Sequence, residues 1–380
     1  MAKSATWPEL DVLRGLAGVV MVLNHAAAHW TAGPDATGLA WLLFTVGSYA
    51  PVLFFTATGL GYGIQAEHKG PDGGHAFGFA RKVAILLLAD SLLWLSPVTW
   101  LGNDFLGFIA LTMLVLEPLR RSRRGWWIAI VAALAIAGLR YVVIPRLFEA
   151  PLPGADISLT HWVLGFGSPP GFSYPPLPWL AYGLVGFSVG VLAQRFREVV
   201  AHRRARITTG LVIATGLGLA FVLWRLDRGS TLSRWGSVNG TFFVSGFVGV
   251  VGASALALLL TLVPAAPRWI GLRGTASLAL VPVHFGVIEL FERWTGAKGS
   301  TGVGFVVAAS IAAAVSMALA RQWPAVIERV GGMRHAWAGL VVVSGGSLVA
   351  QLLVEDPGGR MLALVAGQLS LCALLVVHRR

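Results

Sequence analysis

The residues of this chain best placed for chemistry lie in one apolar stretch, WPELDVLRGLAGVVMVLNHAAAHW, from Trp7 to Trp30. Ionisable side chains are costly inside such a stretch, and where they occur they mark functional sites by default. Arg14 and His25 stand eleven positions apart. At about 100° per residue that is three helical turns plus about 20°, so the two share one face, with a rise between them of about 16 Å. His29 follows one turn beyond His25 on a similar face. The helix therefore offers a cation near one mouth and an imidazole deeper along the same line. A guanidinium fork pairs with phosphate oxygens, and a histidine near its ordinary pKa of about 6.5 can take a proton from an attacking hydroxyl. That layout suits a donor with an anionic head and a long arm.

Each residue alone also has a packing role open to it. Arg14 can pair with Asp11 at i,i+3 and snorkel to the interface, and His25 can bond a neighbouring carbonyl. Their co-facial placement in one span favours the functional reading. Asp90 lies mid-span in VAILLLADSLLW, with Arg81 and Lys82 at the start of the same segment. A carboxylate there can orient a histidine, hold a cation on the donor side, or serve a structural arginine or backbone N–H. Glu117 is expected to pair with Arg120 or Arg121, and Asn103-Asp104 to cap the helix that follows. The single cysteine, Cys372, sits in an apolar run and is expected to be a small buried hydrophobe. It excludes a disulfide framework and any cysteine-based metal site, and no metal is expected. The patterns GxxxxGK[ST], HExxH and a GxGxxG opening a βαβ unit are all missing from the sequence, so nucleotide-hydrolysing, zinc-protease and dinucleotide readings lack support.

The elements that must carry these residues follow from composition. The chain has 380 residues, 56% hydrophobic and only 12% charged, with mean hydropathy +0.73. A soluble domain carries about 25% charge. The net charge of +12 does not argue for nucleic acid, because the basic residues fall between long apolar runs. A multi-pass membrane protein in a lipid bilayer remains. A spanning helix needs about 20 apolar residues, and on that ruler the sequence predicts about twelve. Their limits are near 9–30, 39–64, 82–100, 103–119, 125–145, 177–194, 207–226, 241–263, 275–292, 302–320, 336–354 and 361–378. The last two follow a break over 321–334. The fold class is therefore all-α, with about ten core transmembrane helices and two C-terminal ones, divided as 1–330 and 331–380. Arginines at 120–124 and 195–206 place those loops in the cytoplasm, and with twelve spans both termini too. The first span is expected to be retained rather than cleaved as a signal, because Glu9 and Asp11 spoil the basic leader pattern. The loop over 146–176 then faces outward. Its aromatic residues, with Trp162, Phe166, Phe172, Tyr174 and Trp179 among or beside them, suit either sugar stacking or an interfacial belt.

Several of these phrases resemble a known family. Arg14 and His25 enclose ten residues, which is similar to the Arg-x10-His motif of the membrane-bound acyltransferase family 3, and LDVLRGLA resembles that family's opening phrase. FFTATGLGYG at 54–63 resembles its FF-x-x-S-G-F, with Thr58 for Ser and Leu60 for Phe. PWLAYGLVGFSVG at 178–190 is similar to its sixth span, and closer still to the related heparan-α-glucosaminide N-acetyltransferase-like branch. GTASLALVPVH at 274–284 resembles the S-x-x-x-Y-L-x-x-H helix and sets His284 on the family histidine. The resemblance covers about residues 9–330. It implies transfer of an acyl group, usually acetyl, from cytosolic acyl-CoA to a carbohydrate or other cell-envelope acceptor at the cell membrane, with a hydroxyl favoured over an amine. By the resemblance Arg14 would contact the acyl-CoA and His25 and His284 would act in catalysis; the intramembrane charges themselves add Asp90 to the catalytic set and Arg81 and Lys82 to the donor side. A secondary transporter is the competing reading. It fits twelve spans and scattered intramembrane charges, but transporters of that size often show repeated halves, and no matching halves are found.

Overall fold

The computed structural model describes residues 7–31, 38–69, 76–93, 103–148, 156–167, 169, 172–230, 232, 238–296, 302–331 and 335–377. The helices are, in order, α1 (Pro8–Trp30), α2 (Gly38–Gly47), α3 (Ala50–Lys69), α4 (Ala76–Leu93), α5 (Phe105–Arg120) and α6 (Gly125–Gly138). A π-helical turn, Leu139–Val143, joins α6 to α7 (Ile144–Leu147), and α8 (Leu159–Val163) and α9 (Pro176–Arg195) follow. Next come α10 (Arg197–His202), α11 (Arg204–Asp227), α12 (Gly240–Leu260) and α13 (Ala266–Trp269). The series ends with α14 (Thr275–Thr295), α15 (Gly302–Gly331), α16 (Ala336–Leu353) and α17 (Pro357–Val377). Among the described residues the only β pairing is a single bridge, Asn103 to Phe172. The all-α expectation holds.

Each of the twelve predicted spans overlaps a helical segment, with residues 94–100 of the third outside the described residues, and nine segments among the described residues are long and apolar enough to cross a membrane. Of the others, α5 is short, and α4 and α14 carry several charges. Two boundaries and one cap differ from expectation. The stretch over 39–64 is interrupted at Ser48-Tyr49. Pro51 has no N–H to continue the α2 ladder, and the Ser48 hydroxyl donates to the Phe44 carbonyl at 2.8 Å. The break expected from 321 is instead helix: α15 runs on to Gly331, through Pro324. Arginine, glutamine and glutamate end an apolar run without ending a helix. Asp104 stands at the α5 N-cap but makes no side-chain cap bond, and Asn103 is used in the bridge to Phe172.

The chain forms two compact units. Unit 1 comprises residues 1–13, 52–83 and 102–269. Within it α3 packs closely on α9. A Cβ added at Gly59 or Gly63 would strike α9 backbone at Gly183 or Phe187, and one at Gly186 or Gly190 would strike the carbonyl of Thr56 or Leu60. Reciprocal small residues of this kind let spanning helices approach closely. The phrases at 54–63 and 178–190 are thus each other's packing surface. Phe55, Phe105, Phe108, Tyr174 and Trp179 form one aromatic cluster, with ring centroids 4.5–5.8 Å apart for the Phe55 pairs and 5.0 Å between Tyr174 and Trp179. Trp162, Tyr174 and Trp179 are buried. They are neither free sugar platforms nor an exposed belt, because each is enclosed by other side chains. Glu117 accepts from Arg120 at 2.8 and 3.1 Å and from Arg121 at 3.1 and 3.3 Å, as expected.

Unit 2 comprises residues 14–51, 84–101 and 270–380. Gly15 lies against the Ile270 carbonyl and Gly18 against Leu280 and Leu272. The α17 helix packs on α14, where Gly286 meets Val365, and Gln368 donates to the Ala89 carbonyl at 2.8 Å. Cys372 is buried as a free thiol.

Candidate active site

Unit 2 contains the chemistry that the sequence points to. Arg14 and His25 both lie on α1, which is helical from Pro8 to Trp30, so the eleven-residue spacing acts as expected. Both are half-buried. Asn24, next to His25, is buried and donates from its amide to the Phe44 carbonyl at 2.6 Å. The Phe44 carbonyl, near the α2 break, therefore accepts from both Asn24 and Ser48, and this fixes α1 in register.

From α14, His284 meets His25. The separation from His25 Nδ1 to His284 Nε2 is 2.5 Å. Their ring centroids are 4.8 Å apart with planes 15° from parallel. Faces stacked at van der Waals distance cannot bring two nitrogens that close, so the rings lie nearly end to end in one plane, joined by a hydrogen bond. His284 is fully buried, and its Nδ1 lies 3.0 Å from the Leu280 carbonyl one turn back.

Hydrogen-bond logic then assigns the protons. A carbonyl only accepts, so His284 Nδ1 carries a hydrogen. In a neutral imidazole the other nitrogen is an acceptor. His284 Nε2 therefore accepts from His25 Nδ1–H, which leaves the lone pair of His25 on Nε2. A base held in one tautomer by a second group, itself anchored by a third, is the general arrangement of an activated proton acceptor. Phe285 flanks it, with its ring 5.0 Å from His25 and 20° from parallel, and at the edge of His29 at 6.5 Å.

The other expected residues lie on α4. Asp90 is buried in the second half of α4, 1% exposed, beside the Ala89 carbonyl that Gln368 holds. Arg81 and Lys82 lie earlier on α4 and belong to unit 1. The structure thus joins His25 to His284. Sequence reasoning missed Asn24, Phe285 and the Leu280 carbonyl. A buried amide in an apolar span was open to the same argument that found His25; a backbone carbonyl leaves no trace in sequence.

Residues 7–221, more than half of the chain, match the family model described as heparan-alpha-glucosaminide N-acetyltransferase, catalytic. The chain belongs to this family. It is accordingly a membrane acetyltransferase in the general sense. The N-acetyltransferase match contains Arg14, His25, Arg81, Lys82 and Asp90, and His284 lies beyond its end. The histidine pair therefore joins the matched region to the part of the chain that follows it. No curated protein and no solved structure matches the chain. Among the described residues no group of three or more His, Cys, Asp or Glu is placed to hold a metal ion.

Proposed function

We propose that the protein moves an acetyl group from acetyl-CoA, supplied from the cytoplasm, to a carbohydrate or other cell-envelope acceptor, a hydroxyl in preference to an amine. The observation that carries this reading is the His25–His284 hydrogen bond, on a chain of the N-acetyltransferase family. His25 Nε2 takes the proton from the acceptor as its oxygen or nitrogen attacks the thioester carbonyl. Collapse of the tetrahedral intermediate breaks the C–S bond, and the departing CoA thiolate takes that proton back from His25. The products are the acetylated acceptor and free CoA thiol. His284 holds the tautomer and shares the positive charge that His25 gains midway.

Arg14 is the proposed contact for the donor's anionic head. Arg81 and Lys82 are assigned to the donor's phosphates on charge alone, and Asp90 to orienting a histidine or holding one of these cations. The arginine-rich loops support a cell-membrane location with cytoplasmic termini. The chemistry is assigned to residues 1–330; α17 packs on α14 and α16 on α17, and neither is given a chemical role.

Labelled acetyl-CoA supplied to purified protein in liposomes, with sugar hydroxyl and amino-sugar acceptors, tests this. Wild-type protein is expected to label an acceptor and His25→Ala protein to fail. Movement of a solute across the vesicle membrane, with no acetyl-CoA consumed under any condition, would overturn the reading in favour of a transporter.

A further inference from the structure

Unit 1 contains a second concentration of chemistry that the acetyl-transfer reading does not use. A cavity of about 300 Å³ opens among the ends of α3, α5, α6 and α9. Arg120, Ser122, Arg123, Trp126 and Arg195 line its polar side, and Phe187 and Val191 its apolar side. Two of these cations are held in place. Arg120 spends Nε and Nη2 on Glu117, and Arg195 spends Nε and Nη2 on Glu67 at 3.1 and 2.9 Å. Both are gripped along one edge, which leaves each Nη1 group uncommitted among the described residues. Arg123 is exposed and forms no ion pair among them. The lining carries three guanidinium groups against one carboxylate, Glu67. Trp126 is the second residue of α6, so the positive end of that helix dipole borders the same cavity.

We propose that this cavity is a binding site for a phosphate ester, with Arg120, Arg123 and Arg195 as its cations. Pre-oriented guanidinium forks match phosphate oxygens, Ser122 adds a hydroxyl, and Phe187 and Val191 accept the apolar portion next to the ester. Two sources share this chemistry: the headgroup of an anionic lipid, and a soluble phosphate ester such as CoA. Basic pockets at the interface between spanning helices are a recurrent home for the first.

The test uses detergent-purified full-length protein and measures binding without turnover, so it stands apart from the acetyl-transfer reading. Calorimetry compares CoA with pantetheine, which lacks the phosphates. Native mass spectrometry compares phosphatidylglycerol with phosphatidylcholine. At least one phosphate-bearing anionic probe is expected to bind better than its control, more weakly at high salt. Arg123→Glu, a reversal at an exposed position, is expected to weaken that probe about tenfold or more, and Arg195→Gln to act in the same direction. Loss confined to CoA identifies a soluble ester, and loss confined to phosphatidylglycerol a lipid headgroup; either supports the site. Binding of neither probe, or affinities unchanged in Arg123→Glu, would overturn it.

Discussion

The histidine pair of unit 2 and the aromatic cluster of unit 1 look equally functional in the sequence, and the structure gives them different kinds of environment. Trp162, Tyr174 and Trp179 come from a Pro- and Gly-rich region with every mark of a ligand-stacking loop, yet burial accounts for them, Tyr174 and Trp179 against Phe55 and Trp162 against Phe172. His25 and His284 sit within α1 and α14 among apolar neighbours, and packing does not account for them. An apolar ring gains from being enclosed wherever it lies. An imidazole enclosed in the same way must be satisfied atom by atom, and here that requirement orders three groups in a line that ends on a lone pair. Enclosure is therefore weak evidence for function in an aromatic residue and strong evidence in an ionisable one.

The sharpest way to break this contrast is to remove the base. His25→Ala is expected to lower acetyl transfer by about 10²–10⁴-fold per folded molecule, the usual cost of a lost positioned base, and to destabilise the fold by about 1–3 kcal/mol because buried His284 Nε2 loses its donor. His29→Ala, which removes an edge contact with Phe285, is expected to cost far less. Side-by-side label-transfer assays in liposomes measure both. A larger loss in His29→Ala would move the base one turn along α1.

Removing the partner sharpens the same point. His284→Ala is expected to cost about 10- to 100-fold, the scale on which orienting groups act. His284→Gln is expected to recover part of that loss, because its carbonyl oxygen can still accept from His25 Nδ1–H. A purely structural His284 would show no such recovery: both variants would lose folded protein alike and retain normal turnover per folded molecule.

The aromatic side of the contrast gives the opposite signature. Trp179→Ala is expected to destabilise the fold by about 3–5 kcal/mol, since it empties a site fully enclosed by rings. Turnover and acceptor KM per folded molecule should stay unchanged. A thermal melt paired with a kinetic titration of acceptor separates these. A raised acceptor KM with an unchanged melt would make the cluster an acceptor platform after all and dissolve the comparison.

How much of this was legible beforehand follows the same physics. Helix positions were, because an apolar run of about 20 residues leaves few alternatives. The α2–α3 break and the extension of α15 were not, since the first turns on the N–H that Pro51 lacks and the second on polar residues that continue a helix past an apolar run. Arg14 and His25 were readable as one face of one helix. The contact of His25 with His284, 259 residues away, follows from no spacing rule. Family resemblance brought His284 to notice; only the fold supplies the Leu280 carbonyl that determines which of its nitrogens faces His25.

The smallest expected effect tests a region where ordinary surface electrostatics suffice. Asp356 precedes α17, and its carboxylate accepts from Arg293 at 2.7 Å and from the Gly359 N–H at 2.7 Å. The Arg293 guanidinium, followed by the Gly359 N–H, holds this carboxyl below its ordinary range. A carboxyl lowered in the folded state stabilises the fold above its unfolded-state value, and that contribution is lost as pH falls through the folded-state value. Asp356→Asn should therefore melt slightly below wild type at neutral pH, on the order of a degree, because exposed pairs are weak and Arg293 keeps its bond to Glu289. In strong acid, where the wild-type carboxyl is itself protonated, the two melts should converge, and at neutral pH added salt should narrow the gap. A gap that persists in acid would trace the effect to helix capping by a neutral side chain rather than to charge. A His25→Ala protein should show the same pH-dependent gap, because the ion pair and the histidine pair are independent contributions in different parts of unit 2.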